Sequence, residues 1–510
     1  MYPGIHALSH PDRPAVIMTG SGETVTYAEL ADRSLRLANW LHDAGLRRGD
    51  VVGLLSDNNP RVFDVYWATQ RSGLYLMSIN YRLSAGEIDY MLENSGAAAL
   101  FVGRGGIEVA ASLADHPALK RRVCIAGELP GFENYENVLA SARSALPSSQ
   151  PRGGDMLYSS GTTGRPKGVK QPLPERDVAD RGDTMVEMFS SHFGFDSDTI
   201  YLSPAPLYHA APLRTCASVH ALGGTALVME RFDAEAALAA IENFRVTHSQ
   251  WVPTMFVRML KLPVEVRERY DIGSTRVVIH AAAPCPVEVK QKMIDWFGPK
   301  LFEFYSCTEV NGMTVIGPEE WRAKPGSVGR AVLGKIHVCD DNGIELTPGE
   351  TGSVYFEREV MPFVYHNEPE KTRAAQHPVH PTWTTVGDVG HVDKDGFLYL
   401  TDRKSFMIIS GGVNIYPQEI ENELVLHPAI ADVAVIGVPD PDMGEQVKAV
   451  VQLTPGLEAS DVVAKQIMDF VRSRLAGYKV PKSVDFVDLL PRSPVGKLLK
   501  QEIRKRYWPA

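Results

Sequence analysis

Paired cysteines are missing from this chain. Cys124, Cys216, Cys285, Cys307 and Cys339 are scattered through 510 residues with no Cys-x-x-Cys among them. Reduced thiols in a cytoplasmic protein are the simplest account. A long apolar run is also missing, since none reaches about 18 residues, so no membrane span is expected. The first residues, MYPGIHALSHPDRP, lack the basic-then-apolar order of a secretory signal. The last, RKRYWPA, carry no retention or peroxisomal address. There is no excess of basic charge: 52 Lys and Arg stand against 62 Asp and Glu, a net charge of −10. Without a basic arm or stripe, nucleic acid is not expected as a partner. Internal repeats and low-complexity tracts are lacking as well.

What is present is an ordinary globular composition, 44% hydrophobic and 22% charged. A chain of 510 residues exceeds what one core usually supports, so at least two domains are expected. Over the first 400 residues apolar runs alternate with amphipathic segments. Leu30, Leu35, Leu37, Ala38 and Leu41 recur at helical intervals, predicting a helix over 27–44 closed by Gly45. DVVGLL (50–55) reads as a buried strand, and Pro60 opens a helix to about Arg71. ALVME (226–230) and TRVVIHAAA (275–283) read as further strands, followed by helices from Asp233 and over VEVKQKMIDWF. This alternation predicts an α/β fold, a large N-terminal domain of mainly parallel sheets flanked by helices, with ligand sites beyond the strands' carboxyl ends. After about residue 402 the character changes. A helix near 417–427, strands ADVAVIGV and VKAVVQL, a helix near 460–475 and a strand at 484–490 predict a compact α+β unit. The stretch SARSALPSSQPRGG (141–154) is a connector too short to divide domains.

Residues 158–169, YSSGTTGRPKGV, concentrate hydroxyls, glycines and cations. Glycines let successive N–H groups converge on one point, and Ser159, Ser160, Thr162, Thr163, Arg165 and Lys167 add donors and positive charge. That is a cradle for a polyphosphate. The Walker pattern does not fit, because Lys167 follows Pro166 and precedes Gly168, and no strand-linked G-x-G-x-x-G is present. Other clusters follow in order. LYHAAP (207–212) places His209 among apolar residues, where a packed histidine is the plain alternative. EFYSCTE (303–309) offers a stacking ring in Tyr305, a donor in Thr308 and an oxygen ligand for a hard cation in Glu309. WTTVGD (383–388) puts Asp388 beside a turn, able to accept both hydroxyls of a ribose or simply to cap that turn. A hairpin turning at Asp395-Gly396 leads to TDRKSFMIISGGVNIYPQEIE (401–421), and PRSPVGKLLK (491–500) carries Lys497.

In that order and at those separations, from TYAEL (26–30) through Lys497, the chain resembles the adenylate-forming superfamily of acyl- and aryl-CoA synthetases, luciferases and peptide-synthetase adenylation domains. The resemblance implies a large AMP-binding domain over 1–401, a hinge over 402–405 and a small mobile C-terminal domain over 406–510. It implies ATP, Mg²⁺ and coenzyme A as cofactors. Ser159, Ser160, Gly161, Thr162, Thr163, Gly164 and Lys167 would bind the β- and γ-phosphates. Tyr305 would stack on adenine, with Ala281, Ala282, Ala283 and Pro284 lining the opposite side and Glu303 nearby. Asp388 and Arg403 would grip the ribose, and Thr308 would touch the α-phosphate. Glu309, with Thr162, would hold the metal. Lys497 would bridge the attacking carboxylate and the α-phosphate. Lys404 and Ser405 fall in the hinge, and Ser410, Gly411 and Gly412, continuing to Asn414, would border the pantetheine tunnel. His209 is expected at the catalytic end of an acyl pocket lined by Val252, Met255, Ala281, Val310 and Met313. Four positions depart from the pattern: Ser306 for a glycine, Ala281-Ala282 for a Gly-Gly pair, Val386 for a threonine and Ser405 for an acidic or lysine hinge residue.

The resemblance implies an ATP-dependent acyl-CoA ligase acting on a small-molecule carboxylic acid. The apolar pocket residues suggest a fatty, aryl or steroid-like acid. No acid follows His209 to meet a substrate ammonium, which argues against an amino acid. A stand-alone enzyme loading a carrier protein's phosphopantetheine is the second reading, and 13 residues after Lys497 leave no attached carrier domain. An inactive ATP- or acyl-binding protein is the third, opposed by retention of Lys497, Glu309, Asp388 and Arg403. A homo-oligomer is compatible with all three.

Overall fold

A computed structural model describes residues 1–159, 166–492 and 498–508. Its large part is built on two mixed sheets. In the first, the strands run parallel from Gly154–Ser159 through Tyr75–Ile79, Val51–Leu55, Ala97–Val102 and Arg121–Cys124 to Glu133–Asn134. Lys167–Lys170 and Val364–Tyr365 add an antiparallel edge. In the second, the strands run parallel from Leu301–Tyr305 through Val277–His280, His248–Trp251, Ile200–Ser203 and Thr225–Val228 to Pro14–Met18. Met313–Ile316 and Arg330–Leu333 are antiparallel at one edge and Thr24–Thr26 at the other.

Local chemistry accounts for the elements. Helix Tyr27–Asp43 starts at Thr26, whose hydroxyl accepts from the Glu29 N–H while the Glu29 carboxylate returns to the Thr26 N–H. It buries Leu30, Leu37, Ala38 and Leu41, and the chain leaves through Gly45 at φ 88°. Leu35 is only half-buried. Helix Ala234–Asn243 is capped by Asp233, which accepts from the Ala236 N–H. Full burial of a leucine is worth roughly 1.5–3 kcal/mol, so these apolar stripes hold the helices against the sheets.

The expectation of βα alternation up to residue 400 needs correction. From 335 to 403 the chain forms a third sheet that is wholly antiparallel: Lys335–Cys339, Gly352–Glu357, Asp388–Val392 and Leu398–Arg403, with Trp383–Thr384 beside Gly352–Glu357. The cause is short turns. Asp340 accepts from the Asn342 and Ile344 N–H groups, Asp393 accepts from those of Asp395 and Phe397, and Gly343 and Gly396 take φ 80° and 84°. Turns this tight return the chain antiparallel, whereas parallel strands need a long crossover.

Beyond this sheet lies a four-strand ladder, Val413–Ile415, Ile408–Ser410, Gly444–Leu453 and Ile430–Asp440, with Ser483–Phe486 parallel to Gly444–Leu453. Helices Pro417–Leu424 and Asp461–Arg472 cover a core that includes Ile420, Leu424, Val435, Val451 and Ile467. The α+β unit is therefore as expected, except that its last strand ends at Phe486 rather than 490.

Candidate active site

The carboxyl ends of the second sheet's parallel strands carry most of the residues singled out in the sequence. Val277–His280 runs into Ala281–Pro284, and its neighbour Leu301–Tyr305 ends on Tyr305. The segments expected on either side of an adenine thus leave adjacent strands at the same edge. Ala282 is exposed and holds φ 73°, Ala281 is buried, Ala283 is half-buried and Pro284 is exposed.

Tyr305 is tied to the third sheet. Its hydroxyl donates to Asp388 Oδ2 at 2.5 Å, and its ring lies 6.2 Å from that of Phe356. Burial and the Asp388 carboxylate push the phenol well above its ordinary range, so it remains a donor. Arg403 Nε donates to the other oxygen, Oδ1, at 3.0 Å, and Asp388 and Arg403 are direct partners across the hairpin. Tyr305, Asp388 and Arg403, separated by up to 98 positions in the chain, form one hydrogen-bonded group. A carboxylate has about four acceptor positions, so Asp388 retains capacity for further hydroxyl donors.

The turn after Tyr305 is shaped by Val310 at φ 50° and by the Ser306 hydroxyl donating to the Gly312 carbonyl at 2.8 Å. It leaves Thr308 half-buried and Glu309 only 6% exposed. Glu309 Oε1 accepts from the Tyr365 hydroxyl at 2.9 Å, and its carbonyl accepts from Gln171 Nε2 at 3.3 Å. Lys167 is next to it, with Nζ 4.8 Å from the centre of the Tyr365 ring. Burial, then the neighbouring Lys371, lower the Lys167 pKa, while Glu309 acts in the opposite sense. Ser159 and Lys167 are paired across the antiparallel ladder that brackets the phosphate loop. Ser160, Gly161, Thr162, Thr163 and Gly164 lie outside the described residues, as does Lys497.

Tyr365 and Gln171 were missed in the sequence. Nothing in FVYHN marks Tyr365 as functional, and only its pairing with the strand carrying Lys167 brings it to Glu309. Glu303, expected to help bind ATP, has a different position. It is 6% exposed, its Oε2 accepts from Lys290 Nζ at 2.7 Å, and His280 Nε2 lies 3.4 Å away. Its carboxylate is committed to a buried ion pair behind the strand end, so it is framework for the site.

The expected acyl-pocket residues divide. Ala281 and Met313 pack in one apolar cluster with Leu207, Leu213 and Phe304, while Val252 and Met255 belong to a second with Trp251 and Phe256. Val310 is half-buried at the strained turn. His209 begins helix Ala210–Leu222, beyond the carboxyl end of Ile200–Ser203, its ring 4.6 Å from that of Tyr208. All sit along one edge of the second sheet.

Lys404–Phe406 forms a short helical turn. The Lys404 N–H donates to the Gly387 carbonyl at 2.9 Å, and Asp402 Oδ2 accepts from the Gln418 N–H at 2.9 Å, joining the third sheet, residues 402–406 and helix Pro417–Leu424. Ser410 pairs with Gly444, and Gly411 and Gly412 take φ 56° and 79°. A Cβ on Gly411 would lie 2.7 Å from Met443 Cε, so a side chain there would displace the methionine. Arg492 and Leu498 bridge the two sides of the segment carrying Lys497, and Arg492 is paired with Asp432.

Among the described residues no group of three or more His, Cys, Asp and Glu is arranged as a metal cage. A magnesium ion in a nucleotide site is held by one or two carboxylates together with phosphates and water. Glu309 fits that requirement as a buried carboxylate with one oxygen fixed by the Tyr365 hydroxyl.

The chain matches the family described as AMP-binding enzyme over residues 5–363, and the AMP-binding enzyme C-terminal domain over residues 419–497. It belongs to the AMP-binding enzyme family. Among curated relatives of this AMP-binding enzyme, a feruloyl-CoA synthase of Amycolatopsis sp is 35% identical over 512 residues, covering 97% of this chain and 96% of that protein. A long-chain-fatty-acid–CoA ligase of Mycobacterium tuberculosis is 32% identical, covering 98% and 96%. The solved structure of ATP-bound MatB from Rhodopseudomonas palustris matches with a TM-score of 0.82 and 28% identity over 99% of both chains. The AMP-binding enzyme is an ATP-using acid–thiol ligase with a large α/β part and a smaller C-terminal domain.

Proposed function

We propose that this enzyme activates an apolar carboxylic acid, aryl or fatty, and transfers it to coenzyme A. The observation that carries the reading is the meeting of Tyr305, Asp388 and Arg403 with Glu309 and Lys167 around one strand edge. In the first half-reaction a carboxylate oxygen attacks the α-phosphorus of ATP and pyrophosphate leaves, giving acyl-AMP. In the second, a thiolate sulfur attacks the acyl carbon, AMP leaves and the thioester forms. The thiol's proton passes to solvent.

Such phosphoryl-centred chemistry depends on positioning and charge neutralisation. Asp388 and Arg403 take the ribose, Tyr305 and Ala281–Pro284 enclose the base, and Thr308 meets the α-phosphate. Lys167 with Ser159–Gly164 faces the leaving pyrophosphate. Glu309 would hold magnesium, which would supply charge neutralisation at the phosphates when bound. Lys497 stabilises the crowded negative charge during adenylation. Rotation about 402–405 then brings Ser410–Gly412 against the pantetheine arm. The apolar character of Val252, Met255, Ala281 and Met313 supports an acid without charge beyond its carboxylate. No helix among the described residues is long and apolar enough to cross a membrane, and we place the enzyme in the cytoplasm.

The test is pyrophosphate release over short, medium, long, aryl and polycyclic acids, with and without CoA. Acid-dependent release with CoA-dependent thioester formation is expected, best for apolar acids. Adenylation without thioester on CoA points instead to a carrier-protein acceptor, and no turnover on any acid overturns the reading. Lys497→Ala is expected to lower adenylation ~100- to 1000-fold, the usual cost of a lost transition-state contact. It should leave thioester formation from supplied acyl-adenylate largely intact, and equal loss of both steps removes Lys497 from its assigned place.

A further inference from the structure

We propose that Tyr365 is a positioning residue of the adenylating site, acting through Glu309 with its hydroxyl and through Lys167 with its ring. The inference rests on the roles given above to Glu309 and Lys167. It adds a residue that links them.

Tyr365 is 7% exposed, and its backbone is fixed at several points. It pairs with Val169, two residues beyond Lys167; its N–H donates to the Thr372 hydroxyl at 3.0 Å; and the next N–H, of His366, donates to the Gly168 carbonyl at 2.8 Å. Phe363 packs edge-on against its ring at 5.2 Å. A phenol held this rigidly has one direction in which to donate, and it donates to Glu309 Oε1. With Oε1 taken by a fixed phenol, the carboxylate can turn little, and its orientation toward a hard cation is set by that bond. Hydrogen bonds to a metal-binding carboxylate commonly orient it in this way.

The ring has a separate use. Lys167 sits over it at 4.8 Å, where the negative face of the π system attracts an ammonium. A ring holds the cation in place without forming an ion pair of its own with it. One side chain therefore sets both the carboxylate that takes magnesium and the cation that faces the phosphates. The two would otherwise depend on separate loops.

The experiment measures ATP binding to the intact enzyme calorimetrically, once with Mg²⁺ and once in EDTA, for wild type, Tyr365→Phe, Tyr365→Leu and Glu309→Gln. Tyr365→Phe keeps the ring and removes the hydrogen bond. Mg·ATP binding should weaken about tenfold, the usual size of a lost hydrogen bond to a charged group, with metal-free ATP binding unchanged. Tyr365→Leu should weaken both. In Glu309→Gln the further change Tyr365→Phe should have no additional effect on Mg·ATP. Should Tyr365→Phe weaken ATP equally with and without metal, or leave both unchanged while Glu309→Gln loses Mg·ATP, the inference fails and the reading of Glu309 stands. Should Glu309→Gln bind Mg·ATP like wild type, the reading of Glu309 itself fails. Tyr365→Phe differs by one buried hydroxyl, so the test holds even where Tyr365→Leu does not fold.

Discussion

Ala282 holds φ 73° on an exposed turn directly after strand Val277–His280. An L-residue with a Cβ is disfavoured there by ~1–2 kcal/mol, while glycine carries a smaller entropic cost of ~0.5–1 kcal/mol. Ala282→Gly is therefore expected to stabilise the large domain by about 0.5–1 kcal/mol in urea unfolding, and unchanged or lower stability would contradict this account. The sequence already marked Ala281-Ala282 as standing where the family has two glycines. The backbone shows that the second position alone requires the left-handed conformation. Asp388 shows the complementary case: a carboxylate beside a turn that reads equally as a cap or a ligand. Its side-chain partners are Tyr305 and Arg403 rather than its neighbours in sequence.

At the scale of elements, helix Val287–Phe297 is the brace behind the site. Lys290 on this helix is 0% exposed, donates to Glu303 on the adjacent strand and lies 4.8 Å from the ring centre of Trp321. Burial raises the Glu303 pKa, with Lys290 opposing the shift. His280 is driven well below its ordinary range, first by burial and then by Lys290, so it is neutral. A buried pair contributes little net stability, but breaking one leaves an uncompensated charge at ~3–5 kcal/mol. Lys290→Met should therefore destabilise the large domain by about that amount, and adding Glu303→Leu should recover most of the loss. A double variant no better than the single would show that the pair is not the source of the effect. The run EFYSCTE reads as one functional unit, yet Glu303 pairs with Lys290 and Tyr305 with Asp388.

Across the whole molecule, pH is expected to act through histidines far from the reacting groups. Trp67 Nε1 donates to His220 Nδ1 at 3.3 Å and His220 Nε2 lies 3.1 Å from the Ala15 carbonyl, which places a single proton on Nε2. Burial pushes His220 down to about 3 and His248 down to about 4, from 6.5. Both folded values are depressed, so below 6.5 the unfolded chain binds the extra protons. Their contribution is complete above pH 6.5 and declines as pH falls toward 4. Each such group, the buried His280 included, adds up to roughly 1.4 kcal/mol per pH unit to the slope within that window. Urea unfolding between pH 7 and 4 should show it, and flat stability across this range would refute the assignment. His220→Gln should reduce the slope by about 1.4 kcal/mol per pH unit, the share of one such group.

Much of this protein was legible along the chain. Leu30, Leu37, Ala38 and Leu41 mark the face of one helix to be buried, Gly45 its end and Asp395-Gly396 a turn, because each depends on residues within a few positions of one another. The density of hydroxyls, glycines and cations in 158–169 reads as a phosphate cradle for the same reason, and the order of motifs from there to Lys497 identifies the family. Only the tertiary structure decided that 335–403 forms an antiparallel sheet, that Asp388 bonds Tyr305 and Arg403, that Glu303 is held by Lys290, and that Tyr365 joins Lys167 to Glu309. These contacts come from the register of strands paired across tens to hundreds of residues. Register is set by the summed packing of whole sheet faces, and no short stretch of sequence contains it.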